Sequence, residues 1–157
     1  MAGLWFRRRM TMIGVIVTGH GGFATGLESN VKMLAGAEAS LISVPFPDGM
    51  PPEELSEKLS DALARYQDCP YTLILADLAG GTPFNRASEL SVGRENVRVI
   101  SGANSSMLMD LCMRNITEDE ITDIDALAEE IMQTARENIG MFRLEPVAQD
   151  APEEDGI

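Results

Sequence analysis

The stretch MIGVIVTGHGG, residues 12–22, decides how the rest of the chain is read. Met12 to Val17 form an apolar run with no polar residue alternating through it, the pattern of a strand covered on both faces. Glycines at 19, 21 and 22 end the run. Phe23, Leu27, Val31 and Leu34 then recur at helical spacing until Gly36 closes the segment. A two-sided strand, a glycine-rich turn and an amphipathic helix make the first half of a βαβ unit. In the turn stands His20, the only histidine among 157 residues.

The same pattern repeats outward from that unit. ASLISVPF (39–46) reads as a second strand, closed by the turn-rich PDGMPP. Pro51 and Pro52, followed by Glu53 and Glu54, suit a helix start. Leu55, Leu59, Ala62, Leu63 and Tyr66 give that helix one apolar stripe. YTLILADLA (71–79) is a third strand, and GGTPFNRASEL turns it into a helix with Thr82 as expected N-cap and Pro83 as first helical residue. NVRVISG (96–102) is a fourth strand, with ANSSMLMDLCMR the helix behind it. DIDALAEEIMQTARENI (123–139) is a last helix, with Leu127, Ala128, Ile131, Ala135 and Ile139 on one side. GMFRLEPV (140–147) suits a short final strand. Strands alternating with helices imply an α/β fold, a three-layer doubly wound arrangement around a four-stranded parallel sheet. Residues 12–147 read as one domain. Residues 1–11 are expected to be an extension outside it and 148–157 an acidic, disordered tail.

Composition narrows the partners. Twelve Lys and Arg stand against 25 Asp and Glu, a formal charge of -13, so the chain repels nucleic-acid backbones; the acidity either suits a positively edged protein surface or simply keeps the protein soluble. Cys69 and Cys112 form no CxxC and lie in no ligand cluster, which fits reduced thiols in a cytosolic protein. Three arginines precede the first apolar run, as in a signal peptide. That run is far below the ~20 residues of a membrane span, and TGHGG follows it in place of a small-residue cleavage site.

In an open parallel sheet, ligands gather outside the carboxyl ends of the strands, where strand order switches. Three strand ends here carry unusual residues: Thr18, Gly19, His20, Gly21 and Gly22 after the first, Asp77, Gly80, Gly81 and Thr82 after the third, and Ser101, Gly102, Asn104, Ser105 and Ser106 after the fourth. Glycines leave the His20 imidazole uncrowded, and a helix N-terminus beyond it offers free N–H groups to an anion. A nucleophilic imidazole beside an anion site suits phosphoryl transfer to nitrogen. The alternative is a structural histidine in a turn. Asp77 is either a turn residue or the acceptor for the His20 Nδ1–H, which would leave Nε2 bare as nucleophile and stabilise charge on the ring. GGTPFN is either an ordinary glycine turn or a place where backbone approaches a ligand, with the Thr82 hydroxyl and the following helix end as donors. With a single histidine and no ligand cluster, no metal site is expected.

These segments together, GVIVTGHGGFATGL, FPDGM, ILADLAGGTPFNRAS and VISGANSSMLM, closely resemble the IIA component of the mannose-type sugar phosphotransferase system. The resemblance runs in order from about Met12 to the last helix. It implies a cytoplasmic carrier that takes a phosphoryl group from HPr onto His20 at Nε2 and passes it to a IIB component, with the membrane components IIC and IID engaged only indirectly. It implies that Asp77 orients His20, and that Thr82, with Thr18, Gly21 and Gly81, holds the phosphoryl group. It implies no cofactor. It also implies a homodimer in which a fifth strand, at the place of MFRLEPV, is exchanged between subunits. Residues 1–11 have no counterpart in the family pattern, and Ser106 stands where a proline is frequent. The neighbouring reading is the phosphocarrier subunit of a dihydroxyacetone kinase, which shares the fold and the histidine. A receiver-like module with Asp77 as phospho-acceptor would need an acidic cluster where TGHGG stands, and a flavin- or nucleotide-binding module would need the loops to hold that ligand.

Overall fold

The computed structural model describes residues 12–36, 40–118 and 120–144. The extension 1–11, residues 145–147 of the expected last strand, and the tail 148–157 lie outside the described residues. The elements alternate as β1 (Gly14–His20), α1 (Phe23–Ala35), β2 (Ile42–Phe46), α2 (Pro52–Arg65), β3 (Thr72–Ala76), α3 (Thr82–Ser91), β4 (Val97–Ser101), α4 (Ser105–Thr117) and α5 (Ile124–Glu137). The strands form one sheet in the order β2-β1-β3-β4. Every pairing is parallel: Thr18 lies opposite Val44 on one side and Ala76 on the other, and His20 lies opposite Phe46.

The unbroken apolar runs of β1 and β3 are explained by two separate cores. Odd positions of β1 (Val15, Val17) join Leu73 and Leu75 under α1, α4 and α5, where Val31, Leu108, Leu111, Leu127 and Ile131 are buried. Even positions (Ile16 with Ile74) pack under α2 and α3 against Leu55, Leu59, Leu63 and Ala87. A strand whose neighbours lie on both faces has no side left for polar alternation. The fold is therefore the expected three-layer α/β sandwich. No helix among the described residues is long and apolar enough to cross a membrane.

Asn115 makes a contact that no periodicity signals. It is buried in α4, donates from Nδ2 to the Ile13 carbonyl at 2.9 Å and accepts the Ile13 N–H at Oδ1 at 2.7 Å. This pair of bonds satisfies the backbone just before β1, where no neighbouring strand does so. Asp110 joins α4 to α5, accepting from Arg114 at 2.7 Å and from the Thr134 hydroxyl at 2.8 Å.

Three expectations shift. The N-cap of α3 is Gly81, extended at φ -70° and ψ 161°, and Thr82 is the first helical residue. The helix starts one residue early because the Asn85 N–H already bonds the Gly81 carbonyl at 2.9 Å. Pro83 then falls at the second helical position, where its missing N–H still costs nothing. Ile139 is not on the buried side of the last helix: α5 ends at Glu137, the chain leaves helical register, and Ile139 is 77% exposed. Leu34, in the last turn of α1, passes beyond the core and is 59% exposed. It lines a groove with Met109 and Met113 of α4. The sheet of the described residues has four strands; Met141–Leu144 add none to it within one chain, and residues 145–147 of the expected fifth lie outside the described residues.

Replacing Asn115 by Ala leaves two buried backbone groups of Ile13 without partners. The expected cost is about 2 kcal/mol of folding stability, measured by urea denaturation against wild type.

Candidate functional site

The strand order places the switch between β1 and β3. After β1 the chain crosses through α1 to one side of the sheet, and after β3 it crosses through α3 to the other. The crevice between their carboxyl ends is where such folds bind ligands. His20 is the last residue of β1, and Asp77 follows the last residue of β3.

One carboxylate joins the two ends. Asp77 Oδ2 accepts the His20 backbone N–H at 2.8 Å and also lies 2.8 Å from His20 Nδ1. Asp77 Oδ1 accepts the Leu78 N–H at 2.8 Å. A carboxylate can only accept, so Nδ1 carries the hydrogen and the neutral ring presents Nε2 with its lone pair. Partial burial works to raise the Asp77 carboxyl. The hydrogen bonds from the His20 backbone, the His20 ring and Leu78 outweigh it and hold the group below its ordinary value of 3.8. The His20 side chain is 48% exposed and that of Asp77 only 15%, so the orienting group is sheltered and the ring is accessible.

Two further contacts set the ring. Phe46, from the neighbouring strand end, meets it edge-on, with centroids 5.7 Å apart and planes at 68°. From the other side comes Gly81: a Cβ there would stand 2.8 Å from His20 Cε1 and 3.6 Å from Nε2. No other residue type allows so close an approach. Gly80 precedes it at φ +76°, a conformation that favours glycine. The N-terminus of α3 thus begins against the Cε1–Nε2 edge of the imidazole. By helix geometry the Thr82 and Phe84 N–H groups have no intrahelical acceptor, and Pro83 has no N–H to leave open. With glycine at the N-cap, no capping side chain occupies this helix end, so its open N–H groups remain available to a ligand.

Of the residues singled out in the sequence, His20, Asp77, Gly81 and the start of α3 at Thr82 come together. Thr18 lies two residues before His20 on the same strand face. It is fully buried, and its Oγ1 has no hydrogen-bond partner among the described residues. Gly21 sits at φ +56° and its N–H donates to the Phe46 carbonyl at 2.8 Å, which closes the turn after β1. In the loop after β4, Asn104 caps α4 by accepting the Met107 N–H at 3.1 Å, the Ser105 hydroxyl bonds Asn30 of α1 at 2.6 Å, and the Ala103 N–H donates to the Ala76 carbonyl at 3.0 Å. Phe46 and Asn85 were not singled out. Phe46 could have been found from its place at the apolar end of ISVPF, one residue before the turn. Cys69 and Cys112 are buried, and burial pushes the Cys112 thiol up to about 11. Among the described residues no three His, Cys, Asp or Glu side chains group as metal ligands.

The site is thus a doubly wound sheet with an exposed histidine at its switch point, bonded by a carboxylate and set against a helix N-terminus. Comparison with known proteins identifies the family. The family model described as PTS system fructose IIA component matches residues 14–132. The PTS system fructose-specific EIIA component of Bacillus subtilis is 30% identical over 147 residues, 92% of this chain and 99% of that protein. The PTS system mannose-specific EIIAB component of Escherichia coli K12 is 33% identical over 140 residues, 89% of this chain. The chain spans only 42% of the length of that two-part relative. The crystal structure of phosphotransferase system component EIIA from Streptococcus agalactiae superposes with a TM-score of 0.73 at 31% identity, covering 83% of this chain and 97% of that one. The chain belongs to the mannose-type EIIA family of the sugar phosphotransferase system, a family of phosphoryl carriers in sugar uptake.

The lowered Asp77 carboxyl has a consequence for acid stability. Its folded value lies below its unfolded one, so its stabilisation is complete above pH 3.8 and is lost as pH falls below that through the folded value. Asp77→Asn is expected to be less stable than wild type at neutral pH and to lose stability less steeply below pH 3.8, as read from urea midpoints across an acid series.

Proposed function

We propose that this chain is a cytoplasmic phosphoryl carrier that accepts a phosphoryl group from phospho-HPr on His20 Nε2 and delivers it to a IIB component for sugar uptake. The observation that carries this reading is the Asp77–His20 bond at 2.8 Å, which leaves Nε2 as the free nucleophile on a half-exposed ring. In the transfer, the Nε2 lone pair forms a bond to phosphorus while the donor's P–N bond breaks, its electron pair returning to the donor imidazole. The Nδ1 proton stays between His20 and Asp77, and the carboxylate offsets the positive charge that develops on the ring. The phosphoryl oxygens gain donors from the Thr82 N–H and hydroxyl and the Phe84 N–H, with positioning and electrostatics supplying the rate. The reverse exchange, with a IIB nucleophile attacking the same phosphorus, returns His20 to its starting state.

The surroundings suit a protein donor. Leu78, next to Asp77, is 62% exposed and offers a partner an apolar contact. The strongly acidic chain favours partners with a positive edge. The same site would serve the carrier subunit of a dihydroxyacetone kinase; the choice between the two rests on which acceptor drains the phosphoryl group.

The decisive experiment supplies phosphoenolpyruvate, Enzyme I and HPr and follows intact mass. Wild type is expected to gain one phosphoryl group, acid-labile and resistant to hydroxylamine, and His20→Ala to gain none. No gain from a competent HPr would overturn the reading, and a gain retained in His20→Ala would show that another residue is the acceptor.

The reading extends to a homodimer. Met141, Phe142 and Leu144 are 71%, 86% and 87% exposed. Apolar side chains in this density are accounted for by a terminal strand that completes the sheet of a second copy. Wild type is expected to sediment as a dimer and a chain ended after Gly140 as a monomer; equal sedimentation of the two would exclude the exchanged strand.

A further inference from the structure

Asn85 clasps the glycine pair that lies against the His20 ring. Its side-chain Nδ2 donates to the Gly80 carbonyl at 3.0 Å, and its backbone N–H donates to the Gly81 carbonyl at 2.9 Å. Two consecutive carbonyls are thus drawn toward one residue. A trans peptide sets its C=O and N–H in opposite directions. Fixing the Gly81 carbonyl along α3 therefore turns the Thr82 N–H outward from the helix end. Fixing the Gly80 carbonyl turns the Gly81 N–H away from Asn85, where it meets the Leu78 carbonyl at 3.2 Å.

The two bonds differ in what they do. The backbone bond begins α3 and any residue at position 85 would make it. The side-chain bond reaches past the N-cap to Gly80, outside the helix, and adds nothing to the helix's own ladder. It acts on the Gly80–Gly81 peptide. That peptide has no side chains of its own to hold it and glycine's wide conformational range to explore; the Asn85 amide fixes its carbonyl, while the Gly81 N–H bonds the Leu78 carbonyl at 3.2 Å. Its position matters because a Cβ at Gly81 would stand 2.8 Å from His20 Cε1: the backbone is the wall of the imidazole.

The geometry points to Asn85 as a positioning residue for phosphoryl transfer at His20. Its side-chain amide holds the glycine turn so that Gly81 buttresses the ring and the Thr82 N–H stays open beside Nε2. Asn85 makes and breaks no bond itself; it acts through Gly80 and Gly81. This assignment rests on the carrier reading above, and Asp77 and Asn85 then divide the work: one fixes the Nδ1 side of the ring, the other the Cε1–Nε2 side.

The test uses full-length Asn85→Asp, which keeps the shape but loses the amide donor, and Asn85→Ala. Single-turnover phosphorylation by phospho-HPr is measured alongside the NMR signals of His20 and the fraction folded. Both variants are expected to accept the phosphoryl group about 10- to 100-fold more slowly than wild type. The His20 Cε1–H signal shifts, while the ring nitrogens still report hydrogen on Nδ1, because Asp77 is untouched. Rates within about twofold of wild type, an unshifted Cε1–H signal, or a rate loss that vanishes when normalised to the fraction folded would each overturn the assignment. A wild-type chain that takes no phosphoryl group overturns the carrier reading and the assignment with it. An active wild type with unimpaired variants overturns the assignment alone.

Discussion

The site depends on one carboxylate that bonds a single residue twice. Asp77 Oδ2 accepts from both the backbone N–H and the ring of His20, each at 2.8 Å. The backbone bond joins the ends of β1 and β3 just beyond the last paired residues, where a parallel ladder would otherwise fray. The ring bond fixes the tautomer. Because the same oxygen does both, the imidazole's direction is tied to the alignment of the two strands, and a shift of the sheet ends would be felt at Nε2. The cost of partly burying a carboxylate is outweighed by three hydrogen bonds, and its lowered proton affinity follows from the same balance.

Everything else around His20 either narrows or opens the ring's surroundings. Phe46 supplies a flat apolar edge from β2, and Gly81 supplies backbone from the start of α3. The remaining side is solvent. An enclosed pocket would suit a small substrate; a half-exposed ring, with Leu78 exposed next to Asp77, suits a second protein that brings its own reacting group. Rigidity is drawn from elements remote from the ring: both cores grip β1 and β3 from opposite faces, and Asn115 secures the backbone where β1 begins. The imidazole can be exposed without being mobile because the strand that carries it is buried on both sides.

Away from the ring, exposed apolar side chains include Leu34, Met113, Ile139, Met141, Phe142 and Leu144. These exposed residues belong to α1, α4 and the end of the chain, and the third strand-end loop is tied to α1 through Ser105 and Asn30. Two of the three glycine-marked strand ends form the candidate site. The third follows β4 at the sheet edge, and its Asn104 and Ser105 are engaged in bonds to α4 and α1.

The sequence by itself determined the alternation of elements, because period and length are local: an apolar run without polar alternation reads as a two-sided strand, and a stripe such as Leu55, Leu59, Ala62 and Leu63 reads as a helix face. It determined His20 and Asp77 as the pair of interest, because a lone histidine and a carboxylate each end an apolar strand where ligands collect. It misplaced the start of α3 by one residue, because the first helical hydrogen bond was made by Gly81, whose extended backbone no propensity distinguishes from a turn. It placed Ile139 in a core that the helix does not reach, since where α5 stops depends on packing and not on period. Only the tertiary structure decided that Asp77 reaches both the backbone and the ring of His20, that Phe46 and Gly81 bracket that ring, and that Ser105 bonds Asn30 of α1. Those facts are distances between residues far apart in the chain, fixed by strand order and register, and strand order is a property of the sheet that no single strand carries.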